Sequence, residues 1–215
     1  MPVTASVKRE LQWWLAAFSS TRYSSIPLAS RLVFPDPCDK GVLAAYSDAS
    51  RELASPESSG WGAWAVVARE VVYVEGRWLP WELQNLSINV LELAAMQFGT
   101  FTFMAHAGAR GAAVTHVIEF TDNTAAEHSA ERGRPSNWRM QALVKWRYDR
   151  LEQLGIHSAV TRVASVDNDV ADGLSRGGDM MRDALRMARS LGLPLRRLEV
   201  AAVVRDLTFI RVDDS

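Results

Sequence analysis

The sequence predicts an α/β protein built on one sheet of mixed strand direction, and three features of its pattern predict it. Two apolar-leaning runs, over 42–50 and 114–122, each carry an aspartate at or near their end, followed by small or polar residues. Two more apolar runs lie between them, joined by a link so short that they must form a hairpin. The segments around the later runs space their apolar residues at helical rather than alternating intervals.

Taken in order, Val7, Leu11, Trp14, Leu15 and Phe18 fall on one face and predict an amphipathic helix over 7–18. Residues 19–40 are rich in Ser and Pro and read as a connector. The first strand, Val42 to Ser50, is apolar on both parities, which suits a central strand covered on both faces. Its Asp48 stands where open α/β sheets place their sites, although an Asp before Ala-Ser also opens turns and caps short helices. After a loop over 51–59, strands over 60–68 and 71–79 are linked by Arg69-Glu70. Gly60 and Gly62 predict a bulge or a close backbone approach.

A helix is expected from about Asn89 to Phe103, with Ser87 or Asn89 as its cap. Glu92 puts a charge among Ile88, Asn89, Ala95 and Met96, either for a function or because the helix dipole favours an acid in the first turn. The run over 114–122 follows that crossover, so it is expected to lie parallel to an earlier strand. If that neighbour is the first strand, Asp122 and Asp48 end at the same edge of the sheet. A short helix over 124–132, a break at Gly133-Arg134-Pro135-Ser136, and a long helix over 137–154 closed by Gly155 come next. A fifth strand over 156–164 leads into a helix starting at Asp167 and running through Arg176. Beyond it, a helix over 179–191 is expected, and 196–210 fits helix or strand.

The 215 residues suffice for one well-buried domain with extensions. Their 48% hydrophobic and 23% charged content is ordinary for a globular chain. No run of 18 or more consecutive apolar residues and no signal-peptide pattern stand in the sequence, so an intracellular protein without a membrane partner is expected. The single cysteine, Cys38, cannot form an internal disulfide. A net charge of −1 argues against strong autonomous binding of nucleic acid, but residues 130–200 carry +4. Within them Arg132, Arg134, Arg139, Lys145, Arg147 and Arg150 either face phosphates or solvate a helix. Arg182, Arg186 and Arg189 share a face of the later helix and invite the same two readings.

Asp48, Glu92, Asp122 and Asp172 stand at element ends or in apolar surroundings. Carboxylates gathered in one cleft repel one another unless divalent cations sit among them. Oxygen ligands without a Cys or His cluster favour Mg²⁺ or Mn²⁺ over zinc. A pair of such ions is an apparatus for cleaving phosphodiesters in line.

These acids and their flanks resemble the ribonuclease H fold, and within it the RNase H domains of retroelement reverse transcriptases, the DIRS-like type above all. The matching stretches are Ser47-Asp48-Ala49-Ser50 with Gly60-Trp61-Gly62-Ala63, Ile88-Asn89-Val90-Leu91-Glu92-Leu93, and Thr121-Asp122-Asn123-Thr124-Ala125. Asn168-Asp169-Val170-Ala171-Asp172-Gly173-Leu174-Ser175-Arg176 completes the set. The helix at Glu10-Leu11-Gln12-Trp13-Trp14 also resembles the segment that precedes such domains.

The resemblance implies a five-stranded mixed sheet, three strands antiparallel and two parallel, flanked by helices. It implies a catalytic domain over 41–177, between a helical extension and connector over 1–40 and a helical extension over 178–215. Asp48, Glu92, Asp122 and Asp172 would be catalytic and hold two Mg²⁺ ions, for which Mn²⁺ can substitute. Asn123, Ser50, Asn89 and Arg162 would face the substrate, the RNA strand of an RNA–DNA hybrid. A reverse-transcriptase polymerase domain is the implied partner, since no Tyr-x-Asp-Asp motif stands in this chain. One departure is Arg162, where such domains usually carry a His ten positions before the last Asp. The four His residues, at 106, 116, 128 and 157, do not fill that place. Two other readings stay open: a non-catalytic module of this fold that binds nucleic acid or protein, and a nuclease of the same fold acting on DNA.

Overall fold

The structure, a computed structural model, describes residues 40–211 apart from 134 and 136. The helix and connector expected over 1–39 lie outside the described residues. Six strands form one sheet: β1 (Val42–Ala49), β2 (Gly60–Val67), β3 (Glu70–Arg77), β4 (His116–Thr121), β5 (His157–Arg162) and β6 (Leu195–Arg197), in the order β5-β4-β1-β2-β3-β6. β1, β2 and β3 run antiparallel in a meander. β4 lies parallel to β1, and β5 parallel to β4. The α/β class and the mixed sheet are therefore those that the sequence predicts. The strand count is not, because β6 adds a sixth strand parallel to β3. Three residues, Leu-Arg-Arg, are too few to show an alternation. Ion pairs supply part of what fixes them: Arg196 to Glu70 at 3.2 Å and Arg197 to Glu75 at 2.8 Å.

The β2–β3 hairpin turns at Ala68 and Arg69, both left-handed (φ 49° and 66°), one residue earlier than the expected Arg69-Glu70 link. Two left-handed residues match the right-handed twist of the flanking strands. The following helices are α1 (Pro80–Asn85), α2 (Ile88–Ala109), α3 (Thr124–Arg132), α4 (Trp138–Leu154), α5 (Asp169–Arg176), α6 (Gly178–Arg189) and α7 (Ala202–Arg205). Asn123 and Asn137 cap α3 and α4 through their side-chain oxygens, and the left-handed Gly133 and Gly155 end them. α1 begins at a proline and is too short for a periodic signal, so the sequence pattern does not reveal it.

One face of the sheet packs on α2 and α4. α2 runs 22 residues and is buried on nearly every side, with Leu91, Leu93, Phe98 and Phe103 inaccessible to solvent. It is long and apolar enough to cross a membrane, but it is a mostly buried core helix of this fold. Each such side chain stabilises the fold by about 1.5–3 kcal/mol relative to exposure. Gly99 lets α2 approach β2, since a Cβ there would sit 2.5 Å from that of Ala63. α5 and α6 cover part of the opposite face with a smaller core of Val71, Val170, Leu174, Ala184 and Ala188.

Two charged pairs are built into the interior. Arg147, one of the side chains expected at phosphates or on a solvated helix face, lies instead fully buried and paired with Glu119 of β4. Thr100 donates to the other Glu119 oxygen at 2.7 Å. Arg205 of α7 holds Glu82 of α1 at 2.6 and 2.8 Å and lies over the rings of Trp78 and Phe98. With Leu207 and Ile210 buried behind it, this last stretch closes the core beneath α2. Four of the other basic candidates have partners nearer the surface. Arg139 donates to the carbonyls of Asn85 and Ile210, and Lys145 pairs with Asp149. Arg182 and Arg186 pair with Asp179 and Asp183 along α6.

Candidate active site

The parallel register of β1 and β4 sets Tyr46 beside Phe120, so two residues further on Asp48 and Asp122 stand at the same sheet edge. This is the carboxyl end of both strands, where the chain leaves the sheet for loops and helix starts. The second turn of α2 carries Glu92 beneath them. One carboxylate oxygen from each of Asp48, Glu92 and Asp122 lies within 4.8 Å of the other two.

Burial and mutual repulsion make this an expensive place for three negative charges. Burial pushes the Asp48 carboxyl up to about 6; the Ser175 hydroxyl opposes the rise, and the charges of Asp172 and Asp122 add to it. Glu92, 5% exposed, is raised well above the usual carboxylate range, by burial first and then by Asp48 and Asp122. The Ala49 N–H and the Asn123 side chain bond to Glu92 and offset part of this. Among the described residues its Oε2 nonetheless has no hydrogen-bond partner, though it is buried. A buried, unanswered carboxylate oxygen aligned with two more acids suits a hard divalent cation, which takes oxygen ligands and cancels the repulsion. The residues present fit such an ion.

The structure places the other sequence candidates as follows. Asp172, on α5, lies outside the 4.8 Å trio, and its Oδ1 accepts from Arg176 Nε at 2.7 Å. It is still near enough for its charge to raise Asp48. Asn123 spends its Oδ1 on the Ala126 N–H at the start of α3, and its Nδ2 donates to Asn89 Oδ1 at 3.2 Å. These two candidates therefore form a pair beside Glu92. Ser50 is buried; its Oγ accepts the Gly60 N–H and lies 2.9 Å from the Ser175 carbonyl and 3.0 Å from that of Ser58. Arg162 ends β5 opposite Thr121, exposed to solvent.

Three residues around the acids escaped the sequence reading. Ser175 donates to Asp48 Oδ2 at 2.5 Å. Asn168 donates to the Ser47 carbonyl at 3.0 Å, which fixes the start of α5 on β1. Arg77 donates to the carbonyls of Ser175 and Arg176 at the other end of α5. Helical spacing offered one clue, since Ser175 and Arg176 follow Asp172 by three and four positions. Nothing in the spacing says that Ser175 meets Asp48, 127 residues away. α5 reaches β1 because β2 is bare beneath it: a Cβ on Gly62 would collide with Leu174, and one on Gly60 would sit 2.7 Å from the Ser175 carbonyl.

No protein-family model and no curated protein matches the sequence. Solved structures with a similar backbone include RNase H1 from the halophilic archaeon Halobacterium salinarum NRC-1, at 18% identity and a TM-score of 0.45, covering 68% of this chain and 99% of that one. LC11-RNase H1, solved in complex with an RNA/DNA hybrid, is 12% identical with a TM-score of 0.48, covering 66% and 99%. Prototype foamy virus protease-reverse transcriptase is 14% identical with a TM-score of 0.43; the match covers 68% of this chain and 22% of the viral protein. These likenesses concern the path of the backbone.

Proposed function

We propose that the chain is a metal-dependent endoribonuclease of the RNase H type, which hydrolyses the RNA strand of RNA–DNA hybrids. The observation that carries this reading is the convergence of Asp48, Glu92 and Asp122 at the carboxyl edge of β1 and β4, with a buried Glu92 oxygen left unanswered. The motif resemblance around those acids supports the substrate class and the DIRS-like reverse-transcriptase type, with a polymerase domain as partner.

In this reading Asp48, Glu92 and Asp122 hold the catalytic cations, two Mg²⁺ ions or Mn²⁺ in their place, and Asp172 joins them from α5. Such ions, when bound, supply a Lewis acid at the scissile phosphate and a water acidified for attack. The chain's own side chains do the remainder. Glu92 and Asp48 keep their carboxylates in a fixed, desolvated arrangement, so little reorganisation accompanies the reaction. The Asn89–Asn123 pair offers amide groups toward the ribose 2′-hydroxyls that mark RNA. Arg162 supplies a positive charge toward a backbone phosphate, in the position where a titrating histidine is usual. An arginine keeps its proton, so it serves by charge rather than by proton transfer.

The test is cleavage of an end-labelled RNA–DNA hybrid with Mg²⁺ or Mn²⁺, beside Asp48→Asn and Asp122→Asn. Metal-dependent cutting of the RNA strand, lost in both variants, is expected. Equal cutting by the variants would sink the enzymatic reading, and preference for duplex DNA would replace the substrate.

A further inference from the structure

We infer that Ser175 is a positioning residue for the cation site: its hydroxyl holds Asp48 in the rotation that lets the carboxylate meet Glu92 and Asp122. The inference rests on the cation-binding reading above and goes beyond it by assigning a residue outside the carboxylate set.

α5 is attached to β1 and its neighbours by five bonds from four side chains, and they are not equivalent. Asn168 to the Ser47 carbonyl, Ser50 to the Ser175 carbonyl and Arg77 to the carbonyls of Ser175 and Arg176 all end on backbone. Ser175 to Asp48 alone among them ends on an oxygen of the acid cluster. The hydroxyl has two acceptors in reach, Asp48 Oδ2 at 2.5 Å and the Asp172 carbonyl at 2.9 Å, and a single proton to give. A charged oxygen is the stronger acceptor, so the proton goes to Asp48. Ser175 is wholly inaccessible to solvent, so no water can stand in for it. The Asp48 carboxylate is buried as well, and among the described residues no lysine or arginine bonds to it. Without the hydroxyl it would be free to turn about its last bond, away from Glu92 and Asp122, which repel it.

The steric design of the sheet serves the same contact. Gly62 stands beside Asp48 across the β1–β2 ladder, and any side chain there would lift Leu174 and with it Ser175.

Calorimetric titration of the full chain with MgCl₂ and with MnCl₂ tests this. Ser175→Ala should bind either ion about tenfold more weakly than wild type, the loss of one charge-assisted hydrogen bond. Ser175→Cys, which keeps the volume but donates weakly, should move the same way and covers the case in which alanine compromises folding. Arg77→Met removes backbone attachments of α5 and leaves the hydroxyl in place, so it should lower the melting temperature and preserve cation affinity. In cleavage assays the Mg²⁺ concentration for half-maximal rate should rise in Ser175→Ala, with the rate at saturating Mg²⁺ within about twofold of wild type. Wild-type affinity in both Ser175 variants would overturn the inference and leave the hydrolase reading standing. So would an equal weakening by Arg77→Met, which would make attachment of α5, rather than the hydroxyl, the cause. A wild-type chain that binds neither ion would remove the reading itself and the inference with it.

Discussion

Among the described residues three glutamates are buried, Glu82, Glu92 and Glu119, and two of them have an arginine. Glu119 lies between Arg147 and Thr100 in the heart of the α2–β4–α4 interface, and Glu82 is held by Arg205 and by the Leu79 N–H. Glu92 has an amide and a backbone N–H, and beyond them two more acids. Burying an ion is costly, and a fold offsets that cost by pairing it. The first two acids are interior posts, complete in themselves. The third has no arginine among the described residues and faces two further acids instead. Burial alone therefore does not distinguish a structural acid from a functional one; what surrounds the second oxygen does.

This contrast predicts opposite responses to mutation. Arg147→Met strands Glu119 in the core and should lower unfolding free energy by about 3–5 kcal/mol, read from urea melts. Cations should not restore it. A loss below about 1 kcal/mol would mean that Glu119 is satisfied without its arginine. At the other pole, Mg²⁺ at a hundredfold excess over its dissociation constant should stabilise wild type by about 2.7 kcal/mol and leave Glu92→Gln little changed. Thermal melts with and without the ion measure both. In the presence of chelator the order should reverse: Glu92→Gln relieves a carboxyl raised by burial and by Asp48 and Asp122, and should be more stable than wild type. A destabilised Glu92→Gln in chelator would make Glu92 a structural acid after all.

The same contrast explains what could be read in the chain without coordinates. β1 and β4 were legible because an apolar run and an acid at its end are both local signals. Asp48 and Asp122 could be named for that reason, Glu92 as a charge among apolar helix neighbours, and the meeting of the two aspartates then follows from the parallel β1–β4 register. Arg147 was not legible. Its neighbours on α4 give an ordinary amphipathic pattern, and the partner that draws it inward sits 28 residues earlier on a strand. β6 stayed undecided between helix and strand, since two of its three residues pair with Glu70 and Glu75, far back in the chain. Long-range charge pairing leaves no periodicity behind. Ser175 belongs with these: its identity stood inside a quoted motif, yet its contact with Asp48 spans most of the domain.

Asp172 falls between the two poles, and it yields the smallest and most discriminating effect. Its side chain is partly exposed and already has a cation, Arg176, one helical turn away on α5. Exposed pairs of this kind contribute little, because water and salt screen them and two long side chains lose freedom. Arg176→Gln should therefore change stability in chelator by no more than about 0.5 kcal/mol, and less at high salt. The effect on cation binding should be the larger of the two. Arg176 also bears on Asp48, whose charge is among those that raise the arginine's own pKa, after the Asp172 hydrogen bond. Removing it leaves four acids with one counter-charge fewer, so Mg²⁺ should bind several-fold more tightly and raise the melting temperature further than in wild type. Weaker binding in Arg176→Gln would mean that the arginine orders Asp172 for the ion rather than competing with it, and would move Asp172 from the rim of the site into its centre.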